Sequence, residues 1–255
     1  MISFIQALPV EYGLPSVVGA GVLLSAIGTF VANAIFTPEE LIENNAVGGF
    51  KYAFLAQIVA ALLAFSLVDS GTRFVSFQLM ADREVATISL MQKLERFLPA
   101  QAGELSAAEQ NYVKKVIDYE WPAMREGKSA PEAKIALEEW YVAAMSTRTT
   151  GDKERLALSQ YIRLFSQVVE ARTSRVSDSF SPFESLIWIS MGAAVIVTIS
   201  FNWFFGSYSL STQLAMGALL TSGVMMLVYL SIVLASPVKS PIGIPPSEYM
   251  ILLRS

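Results

Sequence analysis

The chain of 255 residues has no cysteine and no histidine. Disulfides, thiolate nucleophiles, imidazole bases and His or Cys metal ligands are thereby excluded. Charge is scarce as well: 16% of residues are Asp, Glu, Lys or Arg, where a soluble domain carries about 25%. The balance is acidic, with a formal net charge of −4; this argues against a nucleic-acid partner, which would need a basic face. A Gly-rich phosphate loop, a nucleophile elbow and a paired-carboxylate motif are missing. No enzyme is expected, and no metal or other cofactor. The first 16 residues lack the basic start of a cleaved signal peptide, with Glu11 standing where Lys or Arg is usual. The first apolar run is therefore expected to stay in the mature protein.

What is present is apolar and unevenly arranged. Hydrophobic residues make up 53% of the chain, while residues 69–182 hold 15 of the 18 Lys and Arg and 16 of the 22 Asp and Glu. Apolar flanks around a charged middle predict membrane at both ends and water between. The expected fold is all-α, with four spans and a helical insertion between the second and third. The first span covers about residues 15–36 and is rich in small residues (Gly19, Gly21, Ser25, Gly28, Ala32) that let helices approach closely in lipid. Thr37-Pro38-Glu39-Glu40 reads as a helix start with a capping box, and Gly48-Gly49 as the end of a short helix. The second span, 52–68, holds Gln57 as its one strongly polar group. No breaker follows it. Apolar residues recur through Phe74, Phe77, Ala81, Ile88, Met91 and Leu94, so the helix is expected to run on into water until Pro99.

Three further helices fit the middle. One begins near Ser106, buries Tyr112, Val113, Val116 and Ile117, and ends around Trp121-Pro122. The next begins at Ser129 with Glu132 as a capping box and buries Leu137, Trp140, Tyr141 and Ala144. The last runs over 152–178 with Leu158, Tyr161, Ile162, Phe165, Val168 and Val169 inward. Ser181-Pro182-Phe183-Glu184 starts a third span, 182–205; the fourth covers 213–235, and four prolines from Pro237 on predict an extended tail. The expected division is 1–68, spans one and two; 69–181, a helical domain; 182–236, spans three and four; and 237–255, the Pro-rich tail. Arg73, Arg83, Arg163, Arg172 and Arg175 flank the second-to-third connection, whereas residues 37–50 carry no Lys or Arg. By the positive-inside rule the insertion and both termini are cytoplasmic, most naturally at a bacterial inner membrane.

Several strings resemble the bestrophin-like domain family of bacterial and plant membrane proteins, a relative at some distance of the bestrophins. They are Leu62-Leu63-Ala64-Phe65 followed by Arg73-Phe74, then Ala81-Asp82-Arg83-Glu84-Val85-Ala86, and above all Tyr119-Glu120-Trp121-Pro122-Ala123-Met124 with Gly127 behind it. Phe204-Phe205-Gly206 and the Pro-rich tail agree, and the resemblance spans about residues 50–250. It implies a homo-oligomer, by analogy a pentamer, in a lipid bilayer, passing small anions. The acidic cluster that clasps calcium in animal bestrophins has no counterpart in the sequence, so calcium gating is not implied.

Candidate site residues follow. Phe54, Ile58, Leu62 and Phe65 share one helical face, which the resemblance makes the pore constriction; otherwise it is a lipid or packing stripe. Gln57 and Ser66 would line the same pore or bond between helices. Asp69 and Arg73, four apart, would form a charged ring at its mouth or a neutralised pair anchoring the helix. Glu120, Trp121 and Pro122 read as a structural terminator with an aromatic anchor. Asn33 and Asn202 suit polar contacts between spans. The expected function is an oligomeric anion channel; the alternative is an accessory membrane subunit whose helical domain binds another protein.

Overall fold

The computed structural model describes residues 5–6, 8–98, 102–179 and 184–253. Among them the chain is all-helical, without strands. Helix α1 is Val10–Ile35 and α2 is Pro38–Glu95; α3 (Ala102–Lys115) passes through a π-helical turn, Val116–Glu120, into α4 (Trp121–Arg125). Then follow α5 (Pro131–Ser146), α6 (Asp152–Asp178), α7 (Glu184–Asn202), α8 (Leu210–Leu234) and α9 (Ser247–Leu252). The chain divides into two compact units, residues 1–72 with 182–241, and residues 73–181 with 242–255.

Three helices, α1, α2 and α8, are long and apolar enough to cross a membrane; the apolar stretch of α7, Leu186–Asn202, is shorter. In the first unit, Gly13, Val17, Gly21, Ser25, Gly28, Thr29 and Ala32 of α1 are buried. Their spacing of three and four residues forms one seam of small side chains, and α8 answers with buried Gln213, Gly217 and Thr221. Asn33 donates to Gln213 Oε1 at 3.1 Å, the expected polar contact between spans. Val17, Tyr229 and Val233 form one core cluster; Val59, Leu63 and Met191 form a second, with Trp188, Val224 and Val228 around it.

The capping box at the start of α2 is reciprocal: Thr37 N–H donates to Glu40 Oε2 at 2.8 Å and Glu40 N–H to Thr37 Oγ1 at 3.3 Å. Gly48-Gly49, however, does not end a helix. The helix begun at Pro38 runs through both glycines and 58 residues to Glu95. Glycine lowers helix propensity by only about 1 kcal/mol, and contacts on both sides outweigh that. Gly206 N–H donates to Leu41 O at 3.0 Å and Asn45 Nδ2 to Gly206 O at 2.9 Å, while the Tyr52 ring stacks on Phe201 and meets Phe205 edge-on. A Cβ on Gly206 would lie 2.7 Å from the Leu41 carbonyl carbon, so only glycine permits this approach.

Other boundaries also differ. Helix α3 is already formed at Ala102, ahead of Ser106. Helix α5 starts at Pro131, not Ser129: its N-cap is Ala130, with no side-chain cap, so the Ser129–Glu132 box does not form. Tyr141 and Val169 are exposed rather than inward. The tail is not simply extended, because α9 forms behind Pro245-Pro246. Pro99, Ser181 and Pro182, expected to end or start helices, lie outside the described residues.

Candidate functional site

In the first unit, α2 has two faces. Val59, Leu63, Ser66 and Ser70 are turned inward and buried. Phe54, Ile58, Leu62 and Phe65 lie on the outer side with 44–67% of their surface open. Gln57 is exposed beside them and makes no hydrogen bond to any described residue. The structure therefore brings Gln57 together with the aromatic and aliphatic stripe and separates Ser66 from it. Asp69 and Arg73 are half-buried, and each has interaction partners.

A different cluster lies in the second unit, where Arg175 of α6 has no exposed surface. Its Nε donates to Glu84 Oε2 at 2.9 Å and its Nη2 to Glu120 Oε2 at 2.7 Å. Arg172, one turn earlier, donates to the other oxygen of Glu120, and Tyr112 donates its hydroxyl to Glu84. Two arginines and two glutamates sum to zero charge, and the fork of Arg175 is divided between two carboxylates rather than spent on one. The Arg175 guanidinium also lies over Trp121, 5.1 Å from the ring centroid, and Tyr249, at 5.6 Å, so aromatic faces shield it from water. The carboxylates of Glu84 and Glu120 hold Arg175 charged against burial, which by itself pulls the other way. Burial, with Glu84 beside them, keeps Tyr112 and Tyr249 protonated, far above the usual tyrosine range.

This network places the Glu120-Trp121-Pro122 string. Glu120 and Trp121 are both buried, at 1% exposure each. In an α-helix, adjacent residues point about 100° apart; here the π-turn Val116–Glu120 widens the helix, with Trp121 N–H bonding Val116 O. Trp121 is an anchor, as expected: its Nε1 donates to Ile244 O at 3.0 Å, and its ring meets Phe77 and Tyr249 edge-on. Pro122 is not a terminator, since the helix continues to Arg125. A proline interrupts an α-helix by lacking one N–H and crowding the carbonyl four residues back; the wide turn absorbs both defects. The chain ends this element at Gly127, whose φ of 73° is the left-handed value glycine adopts freely.

Sequence reasoning missed Glu84, Arg172 and Arg175 as a set, and also Glu95 and Glu109, both buried. Each of the buried charges Glu84, Glu95, Glu109, Glu120 and Arg175 stands on the apolar stripe of its own helix, and that is the signal that could have found them. Among the described residues no group of three or more His, Cys, Asp or Glu is placed to hold a metal. The arrangement around Arg175 neutralises and positions charge.

Comparison with curated proteins and with solved structures finds no match. The family model of the bestrophin-like domain matches residues 19–249, a span that takes in most of the small-residue seam of α1, the two-faced α2 and the buried ion network. An integral membrane protein by its apolar helices, the chain belongs to the bestrophin-like domain family.

Proposed function

We propose that the protein is an oligomeric ion channel for small anions, with its pore lined by the outer face of α2. One observation carries this reading: Gln57 is exposed in the middle of an apolar span and has no partner among the described residues. An amide facing hydrocarbon without a hydrogen bond costs several kcal/mol. Around a shared axis, copies of Gln57 would face water or one another, and Phe54, Ile58, Leu62 and Phe65 would form the apolar constriction above and below. Family membership supports a channel-like role and, by the resemblance, a pentamer.

In this reading Glu184–Asn202 is the remaining span, residues 69–181 form a cytoplasmic helical domain, and the termini share that side because the basic residues concentrate there. Ser66, buried in the first unit, stands off the outer face and is left out of the constriction in this reading. Asp69 and Arg73 set the charge at the mouth of the pore.

Purified protein in a planar bilayer tests the reading. The expected result is a chloride-selective conductance, shown by the reversal potential in a salt gradient, from a particle with one copy of α2 per subunit around an axial hole. A silent bilayer across voltage, pH and halides, with a stoichiometric foreign protein copurifying from native membranes, would establish an accessory subunit instead.

A further inference from the structure

Glu95 closes α2 and Glu109 sits in the middle of α3; Glu95 is 7% exposed and Glu109 1%. Gln92, which lines one cavity with Glu95, bonds Glu109, so the two carboxyl groups are near neighbours. Donors surround them. Tyr161 of α6 donates to Glu95 Oε1 at 3.2 Å and itself accepts from Trp140 Nε1 of α5 at 2.8 Å. Gln92 donates to Glu109 Oε1 at 2.7 Å and to the Leu252 carbonyl of α9 at 3.2 Å. The remaining oxygen, Glu109 Oε2, is buried without a partner among the described residues. A buried carboxylate oxygen left unsatisfied is costly, and two neighbouring ionised carboxylates repel in a weakly polar interior. One proton between them removes both penalties, because a protonated carboxyl donates where a carboxylate can only accept.

We infer that Glu95 and Glu109 form a proton-binding site that is occupied at neutral pH and that, through Gln92, couples its protonation to the seating of the C-terminal helix α9. The charged and titratable groups facing the pair are few. Tyr161 approaches from α6, Lys93 of α2 and Arg96 just beyond it line the adjoining cavity, and among the described residues α5 brings the Trp140 N–H and α9 the Leu252 carbonyl. That cavity of about 260 Å³ is lined by Ser89, Gln92, Lys93, Glu95, Arg96 and Ser106 among others, and gives the proton a polar route to water. Its basic residues, with the Gln92 and Tyr161 donors, favour a proton over a divalent cation, which would need further oxygen ligands.

Burial raises both groups, Glu95 to about 7 and Glu109 to about 8, with the Glu95 charge adding to the rise of Glu109. Raised carboxyl values mean that the folded state binds protons the unfolded chain has already released. Stability contributed by the pair is therefore lost as pH rises from the ordinary 4.5 toward about 8. Above that range Glu95 and Glu109 repel, Gln92 is drawn between two charged acceptors, and its bond to Leu252 weakens.

The test uses the full chain in nanodiscs. Difference infrared spectra between pH 6 and pH 9 should show loss of a protonated-carboxyl C=O band, reduced in Glu95→Gln and in Glu109→Gln and absent when both are replaced. Over the same range, protease cleavage within 247–252, relative to the denatured chain, should rise about tenfold. In Glu109→Gln, whose amide supplies the missing donor, cleavage should stay low throughout. If the Gln variants do not fold, the wild-type band and cleavage titration decide alone. A wild-type band that does not titrate, cleavage independent of pH, or a band abolished at constant pH by calcium or magnesium would overturn the inference, the last by showing a cation site. None of these readouts requires ion conduction.

Discussion

Arg175 Nη2 and Glu120 Oε2 are 2.7 Å apart, with neither side chain more than 2% exposed. The pair joins α6 to the π-turn before Trp121, and it is one contact in a four-charge network with Glu84 and Arg172. A buried ion pair is weak evidence of net stabilisation, since desolvation offsets much of the attraction. Its loss on one side is nevertheless severe, because a charge is stranded.

Arg175→Met should leave Glu84 without a cation and Glu120 with Arg172 alone, and destabilise the second unit by about 3–5 kcal/mol. Arg175→Lys keeps the charge but loses the fork, and an ammonium cannot serve two carboxylates in the same plane. It should fall between wild type and Arg175→Met in a detergent thermal melt. Equal melting temperatures for all three would show that the network contributes nothing to folding.

Trp121→Phe separates the ring from its N–H. Phenylalanine retains an aromatic face for Arg175 and an edge for Phe77 and Tyr249, but the bond to Ile244 O is gone. The loss should be about 1 kcal/mol, and it should appear locally as faster backbone exchange at residues 244–252. A change spread evenly over the second unit would mean that the ring, rather than the indole N–H, holds the tail.

Much of this was legible in the sequence, and the failures share a cause. The capping box at Thr37 and Glu40, the small-residue seam of α1 and the span of α6 follow from local chemistry. Gly48-Gly49 was misread because its helical state is enforced from elsewhere in the chain, by the Phe204-Phe205-Gly206 turn against Leu41, Asn45 and Tyr52. Pro122 breaks the expectation because a π-turn has no local signature: Val113, Val116, Glu120, Trp121 and Met124 are all buried, at intervals that a regular α-helix would also turn to one side. The buried charges do not show in the periodicity of apolar residues alone. On α2, Phe77, Ala81, Glu84, Ile88, Met91 and Glu95 form one continuous inward stripe, with the two glutamates among them.

Gly206→Ala and Gly49→Ala make a paired test of that correction. At Gly206 an added Cβ meets the Leu41 backbone at 2.7 Å, and backbone cannot swing aside as a side-chain end can; at Gly49 nothing lies within 4 Å. Gly206→Ala should destabilise the first unit by about 1–3 kcal/mol, while Gly49→Ala should leave it unchanged or stabilise it by about 0.5–1 kcal/mol through helix propensity. If Gly49→Ala weakens the protein, a neighbouring copy packs against that point of α2, and crosslinking between subunits there should confirm it.

The outer face of α2 is decided by Gln57. Three environments are open to its amide, and two substitutions separate them. Where Gln57 lines an aqueous pore, Gln57→Leu lengthens the apolar constriction and should cut conductance severalfold with assembly intact. Gln57→Glu places one negative charge per subunit around the axis and should shift the reversal potential away from chloride toward cations. Where Gln57 instead bonds between subunits, Gln57→Leu should loosen the oligomer in native electrophoresis, by an amount matching the modest strength of interhelical hydrogen bonds in lipid, about 0.6–2 kcal/mol. Where it faces lipid, Gln57→Leu should raise the melting temperature and leave both assembly and current alone. The charged variant discriminates best, because no lipid-facing or interhelical position would convert a single acidic substitution into an altered ion preference without loss of assembly.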